Sequence, residues 1–189
     1  MKRFFDIIIS SLSLILFSPL IAVCYLIIKL GGGHVIYKQQ RIGLGGKPFH
    51  IYKFRSMVVG AEKEGEELLQ QADDPRITKI GRFLRAHHLD ELPQLWNVFI
   101  GDMSFVGPRP ERKYYIDKIM EIDPRYERLY QIRPGVTSYA TLYNGYTDTM
   151  DKMLRRLELD LYYLEHQSLW MDFKILAATF WSIVSGRIF

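Results

Sequence analysis

The sequence predicts an α+β protein, mainly helical, with an N-terminal re-entrant membrane helix-break-helix, a small β-hairpin and amphipathic interfacial helices. Three observations predict it. Residues 4–30 form one apolar run whose only charges, Asp6 and Lys29, sit near its ends. Residues 34–40 and 48–57 read as two strands around a turn containing Gly43, Gly45 and Gly46. Much of the remainder carries apolar residues at helical spacing, in places opposite a basic face.

The bulk properties set limits on this reading. With 189 residues, 48% hydrophobic and 24% charged, the chain can bury one core and is globular rather than disordered. A formal net charge of +4 favours anionic partners, whether nucleic acid, anionic lipid or phosphorylated substrates. Cys24 is the single cysteine, so no internal disulfide framework forms, and no Cys/His cluster has zinc spacing. The breaker Gly31-Gly32-Gly33 divides a membrane segment, 1–33, from a membrane-associated domain, 34–189.

Within the apolar run, Pro19 cannot donate a hydrogen bond to the carbonyl of Ile15, and an interior proline costs a helix about 3 kcal/mol. The arms on either side, Phe5–Phe17 and Leu20–Leu30, are each about 16–20 Å long at ~1.5 Å per residue. Neither can cross a hydrocarbon layer of about 30 Å alone. Lys2 and Arg3 precede the run and Lys29, Lys38 and Arg41 close it, so the positive-inside rule assigns both ends to the cytoplasm. A re-entrant helix broken at Ser18-Pro19 satisfies both observations; a straight spanning helix with a proline kink is the alternative. In either case the Ser18 hydroxyl is placed to satisfy a freed carbonyl.

In the second strand, period two puts Ile51, Lys53 and Arg55 on one face. The two cations suggest a phosphate or headgroup site, although exposed strands often carry such pairs without function. Residues 60–75 are acidic and polar and read as a solvated helix and loop. From Thr78 to His88 the text TKIGRFLRAHH is a short basic helix, with Lys79, Arg82 and Arg85 opposite Ile80, Phe83 and Leu84. His87 and His88 are adjacent and read as surface or packing residues. In LDELPQLWNVF, Leu89, Leu92, Trp96 and Phe99 mark one helical face, and Pro93 is acceptable only in the first turn. Asp90 and Glu91 therefore fall at a helix N-terminus, where acids commonly act as caps. The same geometry suits phosphate chemistry, with Arg85 nearby to keep Asp90 ionised.

Arg109 lies between two prolines in GDMSFVGPRPE, which stiffens the backbone around a guanidinium able to meet a phosphate or carboxylate in fixed geometry. Arg133 opens a second stiffened basic turn, RPGVT. The C-terminal third is helical. Leu154, Leu157, Leu161 and Leu164 mark a core face, with Glu158, Asp160 and Tyr163 beside it. Trp170, Phe173, Ala177, Phe180, Trp181 and Val184 form a stripe that reads as interfacial, a plain core helix being the alternative.

The order of these pieces, from Ser18-Pro19 through QRIGLGGKPFHIYKFRSM, DPRITKIGRFLRAHHLDELPQLWNV, GDMSFVGPRPE and IRPGVT to LELDLYYLEHQSLWMDFKIL, resembles the bacterial sugar transferase family. These are the monotopic polyprenol-phosphate phosphoglycosyl transferases, and the chain resembles their minimal, catalytic-domain form over nearly its whole length. The resemblance implies Asp90 as nucleophile, Glu91 as its neighbour helping to hold Mg²⁺, and Arg85, Arg109 and Arg133 as phosphate holders. It implies that Ser18 and Pro19 break the membrane helix. It implies a catalytic domain facing the cytoplasm at the bacterial inner membrane. One departure stands out: Tyr146 follows Asn144-Gly145 where many relatives have an arginine.

The expected reaction moves a sugar 1-phosphate from a UDP-sugar to polyprenol phosphate with release of UMP, through a covalent Asp90 intermediate. The expected partners are the UDP-sugar, polyprenol phosphate and membrane lipid, without nucleic acid; self-association stays open. The rival readings are a glycosyltransferase that releases UDP and a non-enzymatic binder of anionic lipid, whose binding would survive loss of Asp90.

Overall fold

The computed structural model describes residues 1–61, 74–145, 147 and 149–185. The acidic stretch read at 60–75 falls largely outside the described residues, and so does Tyr146. The architecture is α+β and mostly helical, with two small two-stranded sheets.

The first helix, α1 (Lys2–Leu30), is apolar and long enough to cross a membrane by length and composition. α1 is helical from Lys2 to Leu30 with Pro19 inside it, so no non-helical residue separates its two arms. The physical reason is local. Ser18 Oγ donates to Ile15 O at 2.8 Å, and that is the carbonyl Pro19 leaves without its backbone donor. One hydroxyl therefore replaces the missing amide.

Both ends of α1 pack on the rest of the protein, and its middle does not. Near the start, Asp6 and Ser10 are buried; near the end, Cys24 and Ile28 are buried. Between them Leu12, Ile15, Leu16, Phe17 and Leu20 stay exposed. Polar side chains secure the start. Lys2 donates to Tyr163 Oη at 2.6 Å and to Asp172 at 2.7 Å, and Asp6 Oδ1 accepts from Ser104 Oγ and the Phe105 amide, each at 3.1 Å. Apolar packing secures the end, where Cys24 and Ile28 join Val35, Phe54 and Leu84.

Strands β1 (Ile36–Ile42) and β2 (Pro48–Phe54) form the expected antiparallel hairpin, with Tyr37 opposite Lys53 and Gln39 opposite Ile51. β2 is covered on both sides: Ile51 packs with Val98 and Met103, and Phe54 packs with Leu84 and Ile28. Helix α2 (Lys79–Ala86) begins at a Thr78 cap whose side chain accepts from the Gly81 amide. Of its apolar residues Leu84 is buried, while Ile80 and Phe83 face outward. Helix α3 (Gln94–Ile100) follows.

Local sequence patterns do not mark helix α4 (Lys113–Ile122), the 3-10 helix Pro124–Gln131, or strands β3 (Ser104–Val106) and β4 (Gly135–Thr137). β3 and β4 pair in parallel, with Ser104 opposite Gly135 and Val106 opposite Thr137. Three-residue strands leave no period to read, and this pair joins two turns that looked independent. Gly107 and Gly135 allow it, because a Cβ on either would collide with the backbone of the other turn.

Helices α5 (Tyr139–Asn144), α6 (Met150–His166) and α7 (Leu169–Val184) complete the fold. Leu157 and Leu161 of α6 pack against Ile116 and Ile119 of α4. On α7 the aromatic stripe faces out: Trp170, Phe173, Phe180, Trp181 and Val184 are each at least 60% exposed, while Asp172 and Ile175 are buried. The plain core helix is therefore excluded.

Candidate active site

Asp90 and Glu91 lie in a short 3-10 turn, Leu89–Glu91, between α2 and α3. The turn is entered through His88 at φ 53° and ψ 19°, the one non-glycine residue with positive φ among the described residues. A left-handed conformation costs a side-chain-bearing residue about 1–2 kcal/mol, so the surroundings must impose it. The expectation that these acids cap a helix is corrected here. α3 starts only at Gln94, and its cap position, Pro93, has no side-chain cap bond.

Neighbouring elements hold the turn in place. Asn97, fully buried on α3, accepts the Tyr52 amide through Oδ1 at 3.0 Å and donates to His50 O through Nδ2 at 2.7 Å. This fastens α3 to β2 and brings Lys53 against the turn, where its Nζ lies 2.6 Å from Glu91 Oε1. On the other side, α2 approaches so closely that a Cβ at Gly81 would fall on the Ser56 carbonyl. That contact sets Arg85, whose Nε donates to Ser56 Oγ at 2.8 Å.

The two carboxylates are held in different states. Burial raises the Asp90 carboxyl above its ordinary value, the Glu91 charge adds to this, and Lys53 and Arg85 oppose it. Burial also acts to raise Glu91, but Lys53, Arg109 and His88 overcome it and hold that carboxyl at about 2. Glu91 is thus a fixed, ion-paired anion. Asp90, 8% exposed, makes no hydrogen bond or ion pair among the described residues. It is the free carboxylate of the two.

Of the sequence-predicted residues, the structure gathers Asp90, Glu91, Lys53 and Arg85, with the Arg109 charge acting on Glu91. Two arginines lie elsewhere. Arg55 donates to Gly32 O at the exit of α1, on the linker rather than on the acids. Arg133 donates through Nε to Gly101 O at 2.8 Å, at the far end of α3, where Arg3 also binds the carbonyls of Val98 and Phe99. Cations there complement the C-terminal carbonyls of the helix.

A second charged cluster went unread. Glu111, at the end of the GDMSFVGPRPE motif, accepts from Arg156 of α6 at 2.7 Å and from Arg41 of β1 at 3.4 Å, with Asp160 of α6 beside them. Glu111, Arg156 and Asp160 are all under 9% exposed. Burial raises the Asp160 carboxyl to about 7, with Arg156 opposing and Glu111 adding to the effect. The available signal was an acid on the core-adjacent side of α6, which the sequence reading noted without pairing.

The fold and site together define an α+β protein with a long apolar N-terminal helix and, beside basic side chains, one carboxylate in an ion pair and one outside it. Comparison with known proteins places this arrangement. The family model for bacterial sugar transferases matches residues 1–186, and the chain belongs to that family. It is 42% identical over 184 residues, 95% of its length, to a UDP-glucose:undecaprenyl-phosphate glucose-1-phosphate transferase of Escherichia coli (strain K12). It is 39% identical over 98% of its length to a UDP-N-acetylgalactosamine-undecaprenyl-phosphate N-acetylgalactosaminephosphotransferase of Aeromonas hydrophila. These matches take up 39% and 44% of the two relatives, so the chain spans about two-fifths of their length. A relative in Caulobacter vibrioides, also named a UDP-glucose:undecaprenyl-phosphate glucose-1-phosphate transferase, is 42% identical and covered over 70% of its length.

Proposed function

We propose that this chain transfers a sugar 1-phosphate from a UDP-sugar to polyprenol phosphate at a membrane surface, with Asp90 as the nucleophile. The observation that carries the proposal is the asymmetry of the pair: Lys53 holds Glu91, and Asp90 makes no hydrogen bond or ion pair among the described residues. An Asp90 oxygen attacks the phosphorus bearing the sugar; the bond from that phosphorus to the UMP oxygen breaks, and UMP leaves with the electron pair. An oxygen of polyprenol phosphate then attacks the same phosphorus and frees the carboxylate. Splitting the transfer in two lets one site serve both substrates in turn. Arg109 and Arg85 offset the phosphate charge that would otherwise repel each attacking anion.

The donor set suits Mg²⁺. Lys53 engages only Oε1 of Glu91, and Mg²⁺ takes one or two protein carboxylates along with substrate phosphates and water. Asp90 and Glu91 would hold it, and its chemistry there is to neutralise phosphate charge. Among the described residues no group of three or more His, Cys, Asp and Glu could form an all-protein cage, which is not needed for this ion.

The contacts of α1 support a re-entrant placement in the bacterial inner membrane, with the domain on the cytoplasmic side. A spanning helix would carry one end across about 30 Å of hydrocarbon and forfeit either the Lys2–Asp172 pair or the packing of Ile28. The outward stripe of α7 suits the interface. Incubation with a panel of UDP-sugars, polyprenol phosphate and Mg²⁺ tests the reaction: UMP is the expected nucleotide product. Release of UDP would mean that the sugar–phosphate bond is the one broken and would overturn the proposal.

A further inference from the structure

Ser56 lies just beyond β2 and meets one face of α2 at both ends. Its carbonyl accepts the Thr78 amide at 3.0 Å and the Thr78 hydroxyl at 3.3 Å. The same carbonyl touches α2 again at Gly81, where a Cβ would come within 1.8 Å of it. Positions 78, 81 and 85 share a helix face by their spacing, so Arg85 continues this line into the last turn. There the side chain of Ser56 takes over: Arg85 Nε donates to Ser56 Oγ at 2.8 Å. Ser56 is buried, and its hydroxyl makes no other hydrogen bond among the described residues. Both Nη groups of Arg85 likewise make no hydrogen bond or ion pair among them. The Arg85 turn also abuts the acids, since Leu84 packs with Leu89 and Leu92, which flank Asp90 and Glu91.

We propose that Ser56 is a positioning residue for the transfer: by accepting Arg85 Nε it fixes the guanidinium plane and leaves both Nη groups as a fork for substrate phosphate. This rests on the reading of Arg85 as a phosphate holder. A bidentate grip on phosphate needs that plane set, and an arginine tied beforehand at Nε loses less rotamer freedom when substrate arrives. The two jobs of Ser56 fall on different atoms. Its carbonyl, which any residue supplies, joins β2 to α2; its hydroxyl serves Arg85 alone.

That separation makes Ser56→Ala a clean test on the full chain, with UMP release as the assay and thermal melting to select conditions where every variant is folded. Ser56→Ala should lower kcat/KM for UDP-sugar roughly 3–10-fold through a raised KM, the size of one hydrogen bond. Arg85→Ala should lower it roughly 10–100-fold, again mainly through KM. In the Arg85→Ala background Ser56→Ala should cost nothing further, because no guanidinium is left to orient. Arg85→Met, which keeps the aliphatic stem without its donors, repeats the cycle and should give the same result. A Ser56→Ala loss that persists behind either Arg85 variant, or that lowers kcat with KM fixed, would make the hydroxyl structural and overturn the positioning role. Wild-type kinetics in Ser56→Ala would overturn it as well. Wild-type kinetics in Arg85→Ala would instead overturn the reading of Arg85 as a phosphate holder, and the role of Ser56 with it.

Discussion

The protein contains two acid–cation clusters of similar composition and opposite accessibility. At Lys53–Glu91 the side chains are 21% and 22% exposed, and the neighbouring carboxylate, Asp90, makes no hydrogen bond or ion pair among the described residues. At Arg156–Glu111 they are 8% and 10% exposed, and the acid is bonded from two elements. Asp90, itself buried, adjoins a partly exposed ion pair, whereas Glu111 belongs to a pair that is closed off. Composition does not separate these roles. What separates them is the exposure of the ion pair beside the carboxylate.

The contrast is broken most strongly at Asp90. Asp90→Asn should lower turnover by at least about 10³-fold, as expected when a nucleophile is removed from residues that act as a unit. Its thermal midpoint should match or exceed that of the wild type, because burial already disfavours the charged carboxylate. A variant that loses activity only in proportion to its unfolding would make Asp90 structural. Glu91→Gln comes second: it leaves the nucleophile but removes a charge from the pair, so activity should fall roughly 10–100-fold and recover in part at higher Mg²⁺. Indifference to Mg²⁺ across a titration would remove Glu91 from the metal's ligands.

The smallest effect is expected in the sealed cluster. Asp160 titrates near 7 in the folded protein and near about 3.9 when unfolded. Between these values the folded state keeps a proton that the unfolded state releases, so this group makes stability fall as pH rises from about 4 to 7. Asp160→Asn removes that dependence. Its thermal midpoint relative to wild type should therefore be higher at pH 8 than at pH 5, at about 2–4 °C per kcal/mol for a chain of this size. A larger gain at pH 5 would contradict the assignment.

Much of this was legible in the sequence, and the gaps have physical causes. The hairpin, α2 and α6 follow from local periods, and α1 from its long apolar run. Lys53, Arg85 and the adjacent acids could be chosen because a strand face and a helix face each display their residues regularly. Arg133 and Arg55 illustrate the limit. A stiff basic turn looks the same in sequence whether its guanidinium meets a ligand or, as with Arg133, the carbonyl of Gly101. Pro19 shows the converse, since the neighbouring Ser18 hydroxyl could be expected to bond a freed carbonyl and it bonds that of Ile15. Glu111 and Arg156 are 45 residues apart in the chain, and only the folded arrangement pairs them.

The central claim is that Asp90 forms a bond to phosphorus. Mass spectrometry of the protein incubated with UDP-sugar and Mg²⁺, without polyprenol phosphate, addresses it directly. The account predicts UMP release and one added sugar-phosphate mass on the peptide that contains Asp90, absent in Asp90→Asn and discharged when polyprenol phosphate is added. UMP appearing only in the presence of the lipid acceptor, with no adduct at any stage, would contradict it and assign the attack to the lipid phosphate itself.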